Sequence, residues 1–77
     1  MPTITPGVYV HYKSEDLRYR VLGIGRHSET DEYFVVYKPL YEIEDEQPDF
    51  WVRPYDMFIG DVTVDGKTKP RFRRIDE

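Results

Sequence analysis

The chain has 77 residues, a net charge of −4 and no cysteine. That length makes one domain, 1–77, with no room for a second. The missing cysteines exclude a disulfide framework and a thiolate zinc site, and no apolar run approaches the roughly 20 residues of a membrane helix. A core this small rarely yields more than about 3–5 kcal/mol of net stability. Aromatic residues make up 16 % of the chain and supply large apolar area per ordered residue in place of cross-links. The first six residues, Met1-Pro2-Thr3-Ile4-Thr5-Pro6, lack a basic segment followed by an apolar one, so no signal peptide is expected and a cytoplasmic location is.

Period-two alternation dominates. Val8, Val10 and Tyr12 alternate with Tyr9, His11 and Lys13 and predict a first strand, entered through Gly7. Ser14-Glu15-Asp16 has turn chemistry. A second strand is predicted over Arg18–Arg26, bent or bulged at Gly23 and Gly25. The polar stretch Ser28–Glu32 predicts a loop. Tyr33-Phe34-Val35-Val36-Tyr37 has no polar side, so this third strand needs cover on both faces from core, loop, partner or ligand. An acidic loop with Glu42, Glu44, Asp45, Glu46 and Asp49 leads to a fourth strand, Phe50-Trp51-Val52-Arg53. Pro54 opens one short helical turn over 54–58. Asp65-Gly66 predicts a hairpin between Val62-Thr63-Val64 and Pro70-Arg71-Phe72. The last strand ends near Ile75, with Asp76 and Glu77 expected to fray. The class is therefore all-β: a small SH3-like barrel of five to six short strands with one helical turn, an OB-like barrel being the alternative.

Several segments together carry a family resemblance: Gly7-Val8-Tyr9-Val10-His11-Tyr12-Lys13; His27-Ser28-Glu29-Thr30 with Val35-Val36-Tyr37 and Leu40-Tyr41; Trp51-Val52-Arg53-Pro54 with Met57-Phe58; and Pro70-Arg71-Phe72. From Gly7 to Ile75 the chain resembles the small, mainly bacterial domain-of-unknown-function family numbered sixteen fifty-three. The resemblance implies an SH3-like β-barrel and supplies no activity, ligand or catalytic residue. Ser14 stands where the family pattern has Gly, which bears on the turn geometry.

Trp51 and Arg53 are two apart and share a face of the fourth strand, leaving Phe50 and Val52 for the core. A Trp beside an Arg stacks on a planar group while the guanidinium grips a carboxylate or phosphate. The competing structural reading packs Trp51 under the acidic loop and pairs Arg53 with one of its carboxylates. Tyr9 and His11 lie opposite Val8 and Val10 and, with Tyr37 and Arg71, complete an aromatic–arginine contact surface. Such a surface on a small barrel recognises a protein, peptide or small polar ligand. Arg71, Arg73 and Ile75 are expected on one side of the last strand, Phe72 and Arg74 on the other.

His27 and Glu29, two apart, form a clasp or pocket wall. A hydrolase built on His27 and Ser28 fails on geometry, because neighbours on an extended chain point apart and no glycine elbow surrounds Ser28. An enzyme using His27, Glu29 and Arg53 as acid, base and anion clamp is the weakest alternative. Two histidines are too few for an ordinary metal site, so neither metal nor cofactor is expected. Lys67, Lys69, Arg71, Arg73 and Arg74, with Trp51 as a stacking ring, offer nucleic-acid binding as the second reading, opposed by the acidic loop. A weak homodimer is compatible with the pattern.

Overall fold

The alternating and glycine-broken stretches fold as the strands they predict. A computed structural model describes residues 1–75; the expected fraying of Asp76 and Glu77 lies outside the described residues. The elements are β1 (Gly7–His11), β2 (Ser14–Arg26), β3 (Tyr33–Pro39), β4 (Trp51–Pro54), α1 (Tyr55–Ile59), β5 (Asp61–Val64), β6 (Lys67–Pro70) and β7 (Phe72–Ile75). The all-β class with a short helix is as the sequence predicts. The helix begins one residue later than expected, with Pro54 at its N-cap position.

One sheet runs β4-β3-β2-β1-β7 and a separate hairpin joins β5 to β6. Seven strands replace the five or six expected, because the C-terminal segment divides at Arg71. Pro70 ends the hairpin ladder opposite Asp61. The backbone of Arg71 then leaves that ladder: its N–H donates to the Gly60 carbonyl at 3.0 Å, and its carbonyl accepts from the Tyr12 N–H at 2.9 Å. The chain thereby steps from the hairpin into the sheet, where β7 pairs with β1. Asp65 (φ 53°) and Gly66 (φ 75°) both take the left-handed conformation that a two-residue type I′ turn requires.

Ser14-Glu15-Asp16 is strand rather than turn. The reversal tightens onto Tyr12 and Lys13, where His11 Nδ1 accepts the Lys13 N–H at 3.2 Å, and Ser14 Oγ accepts the Asp16 N–H at 3.2 Å. Strand β2 is correspondingly long, and its register against β3 shifts between Val21 and Gly23. Glycine there accommodates the bulge that bends the sheet.

The core joins Tyr9, Tyr19, Val21, Val35, Tyr37, Phe58 and Phe72. Phe58 from α1 and Phe72 from β7 stack with centroids 4.1 Å apart and planes at 4°. Each buried ring of this kind stabilises the fold by about 1.5–3 kcal/mol. The third strand's two-sided need is met unequally. Val35 and Tyr37 point into the core, whereas Phe34 and Val36 line a shallow apolar cleft of about 250 Å³ with Gly25, Arg26, His27 and Val52.

The core takes residues that the alternation had assigned to the surface, and the reverse. Tyr9 is 9 % exposed and Tyr37 4 % exposed, so both rings lie in the core cluster and not on the outer surface where alternation puts them. Tyr9 meets Phe58 edge-on at 5.7 Å, and its hydroxyl donates to the Thr5 carbonyl. Phe50 and Val52, expected in the core, are 51 % and 59 % exposed.

Candidate functional site

The register places Trp51 beside Tyr37 and Arg53 beside Val35, so both β4 side chains point to the concave side of the sheet. Their shared face is as alternation predicts, but it is the core-facing one. Rings decide the choice: Trp51 meets Tyr37 edge-on at 6.1 Å and Tyr19 at 6.2 Å. The indole N–H donates to Gln47 Oε1 at 3.2 Å, which seats Trp51 against the acidic loop, as the structural reading of the sequence had it.

Arg53 does not follow that reading. Its guanidinium carbon lies 5.5 Å from the centroid of Phe72, across the opening between the two edge strands. No carboxylate pairs with it: the salt bridges among the described residues are Arg26–Asp31 and Arg73–Glu15. Arg71 is in the same condition. It sits in the bend before β7, so strand alternation does not group it with Arg73 and Ile75. The Nε atoms of both Arg53 and Arg71 are buried and, among the described residues, have no hydrogen-bond partner. A buried N–H left unmade costs about 1–3 kcal/mol, more on a charged group.

His11 completes the cluster. Its ring meets Phe72 edge-on at 5.0 Å and lies 4.6 Å from Tyr12. Burial pushes its pKa below the ordinary imidazole value, and the positive charges of Lys13, Arg53 and Arg71 push it further in the same direction. Phe72 therefore carries a cation on one side and an imidazole on another, with Phe58 stacked on it from within. Tyr19 closes the aromatic wall: its hydroxyl shares a 3.0 Å hydrogen bond with Tyr41, and burial, then that bond, push its pKa well above the usual phenol range.

The sequence reading missed three members: Phe72 as a platform, and Tyr19 and Tyr41 as a bonded pair. A weak signal for the pair existed. Tyr19 shares strand parity with the core-facing Val21, and Tyr41 comes two residues after the end of β3.

His27 and Glu29 lie apart from this cluster. His27 Nδ1 accepts the backbone N–H of Glu29 at 3.2 Å and of Thr30 at 3.3 Å, an imidazole version of a side-chain-capped turn. The clasp exists, but through the main chain of Glu29 and not through its carboxylate. Both residues are exposed. Among the described residues, no three His, Asp or Glu side chains gather in a way that would hold a metal ion.

A family model described as "Protein of unknown function (DUF1653)" matches residues 7–74. The chain belongs to the DUF1653 family. Its fold is also that of a solved relative, described as a protein belonging to DUF1653 from Bordetella bronchiseptica. The two are 35 % identical, with a TM-score of 0.80 over 94 % of this chain and 87 % of that one. No curated protein matches. Every element of the Arg53, Arg71 and His11 cluster lies within the residues that the family model spans. Among the described residues, no helix is long and apolar enough to cross a membrane.

Proposed function

We propose that this DUF1653 chain is a non-catalytic binding module that takes an anionic group, carried on a peptide or small polar ligand, between Arg53 and Arg71. One observation carries the reading: the half-buried Arg53 and Arg71 both lie close enough to His11 to act on its charge, and among the described residues neither has a carboxylate partner. Buried charges are normally paired, because removing them from water costs far more than an unpaired site recovers. An incoming carboxylate or phosphate accepts from both forks and offsets that cost. The half-buried rings of Trp51 and Tyr41, backed by the buried Tyr19, form the wall beside the anion, suited to an unsaturated or peptide-like body.

A non-catalytic role is supported by how the histidines are used. Each gives its Nδ1 lone pair to a backbone N–H, and His27 with Glu29 sits on an exposed loop that does not exclude water. A cytoplasmic, bacterial setting belongs to the same proposal, supported by the absence of cysteine and by the Bordetella relative.

Titration of isotope-labelled protein with libraries of acidic peptides and small carboxylates tests the reading. Amide shifts clustered at 51–53 and 71–73 are expected; shifts scattered over the surface, or none, would reject it.

A further inference from the structure

The convex side of the same sheet carries a second cationic feature, independent of the Arg53–Arg71 opening. Register puts Arg20 directly opposite Lys38 and Val8, and Arg18 directly opposite Val10. From the other side Val10 faces Arg73 and Val8 faces Ile75. The belt therefore crosses β3, β2, β1 and β7, three strand spacings or about 14 Å. Val8 and Val10 are buried although they point away from the core cluster. Arginines flank them across both ladders, and arginine stems characteristically lie on apolar surface with the charged head in water.

Arg20 and Lys38 stand as like charges directly across a strand pair, an arrangement that destabilises a sheet in the absence of a counter-ion. Among the described residues neither forms a salt bridge. This occurs in a chain whose net charge is −4, so the concentration of positive charge opposes the average. At the β7 end the belt runs into a cavity of about 310 Å³ lined by Tyr12, Lys69, Arg73 and Glu15, among others. The Lys69 ammonium stands 5.8 Å from the centre of the Tyr12 ring.

We propose that this convex face binds single-stranded nucleic acid, with phosphates along Lys38, Arg20, Arg18 and Arg73 and a base stacked on Tyr12 in the cavity. A row of cations leading to a half-buried ring in an open cavity is what a single strand requires: charge for the backbone and, once the Lys69 ammonium swings aside, a π-face for one base. A lipid surface fits less well, because Val8 and Val10 at the centre of the belt are covered and insert into nothing. Lys67 and Arg74 have no part in the face, and Trp51 and Arg71 belong to the other side of the sheet. Glu15 is the negative element: it holds Arg73 in a 2.8 Å salt bridge and competes with a phosphate for it.

Fluorescence anisotropy with a labelled mixed-sequence oligoribonucleotide of about twelve residues tests this at low salt. With three or four phosphates engaged, log K against log salt should fall with a slope of about −2 to −3. The exposed double variant Arg20→Glu/Lys38→Glu should weaken binding at least tenfold, Tyr12→Leu should weaken it severalfold, and Glu15→Gln should tighten it. Lys67→Gln, on the β5–β6 hairpin away from this face, should leave it unchanged. Absence of binding at low salt, or binding indifferent to Arg20→Glu/Lys38→Glu, overturns the proposal. So does equal affinity for phosphatidylserine vesicles with no effect of Tyr12→Leu. Circular dichroism of each variant verifies that the fold persists.

Discussion

The Arg53 guanidinium lies over the ring of Phe72, 5.5 Å from its centroid, and so links the two edge strands of the sheet without a hydrogen bond between them. Phe72 is in turn stacked on Phe58, so the cation rests on a two-ring column that reaches into the core. Contact of this kind contributes about 0.5–2 kcal/mol. It compensates only part of the cost of a buried Nε without a partner.

Replacing Arg53 by Met should therefore leave the free domain as stable as before, or stabilise it by about 1 kcal/mol, because an uncompensated charge is exchanged for apolar packing. Urea denaturation measures this. The same melts run with a binding carboxylate should show stabilisation of the wild type that the variant lacks.

Phe58 holds the column from below. Phe58→Ala should cost about 3–5 kcal/mol, as much as a domain of this size holds in total. The variant should be unfolded at 25 °C by near-ultraviolet circular dichroism, whereas Phe58→Leu should still show a cooperative transition.

His11 sets a pH dependence. Its folded pKa lies below the ordinary imidazole value of 6.5, mainly through burial. Between the folded value and the ordinary one, the unfolded chain binds more protons than the native one. His11 should thus make stability fall as pH drops through that window and level off beneath it. His11→Asn, which keeps an acceptor for the Lys13 N–H, should remove this contribution to the slope. An anion bound at Arg53 and Arg71 should raise the His11 pKa, readable by NMR titration of the ring.

Tyr19 and Tyr41 should be coupled. Tyr19→Phe should cost about 0.5–1.5 kcal/mol by loss of the hydroxyl pair. Tyr41→Phe in the Tyr19→Phe background should then add almost nothing, a non-additivity that a double-mutant cycle in urea detects.

Most strand positions, the hairpin at Asp65-Gly66 and the helix behind Pro54 were legible because each depends on local backbone chemistry; the strand start at Ser14 and the break at Arg71 were not. So was the pairing of Trp51 with Arg53 on one face, which period two dictates. Which face turned inward was not legible. Phe50 and Val52 are the more uniformly apolar pair, but Trp51 gains contacts with Tyr19 and Tyr37, and Arg53 reaches Phe72; both gains depend on partners distant in sequence. The same difficulty hid Tyr9, since β1 buries Val8 and Val10 on one face and Tyr9 on the other, so alternation carried no inside–outside signal. The role of Arg71 was obscured because it lies in the step between two ladders, where strand parity does not apply.

Arg53 and Arg71 each carry a buried Nε–H that, among the described residues, has no partner. The most direct test of an anion seat there is the NMR of the two arginine Nε–Hε groups during titration with a panel of mono- and dicarboxylates and acidic peptides. Both resonances should move downfield on one common saturation curve, accompanied by the Trp51 indole N–H, and the response should vanish in Arg71→Met. Resonances that stay fixed across the panel, or that shift at different concentrations without saturating, would contradict an anion seat between them.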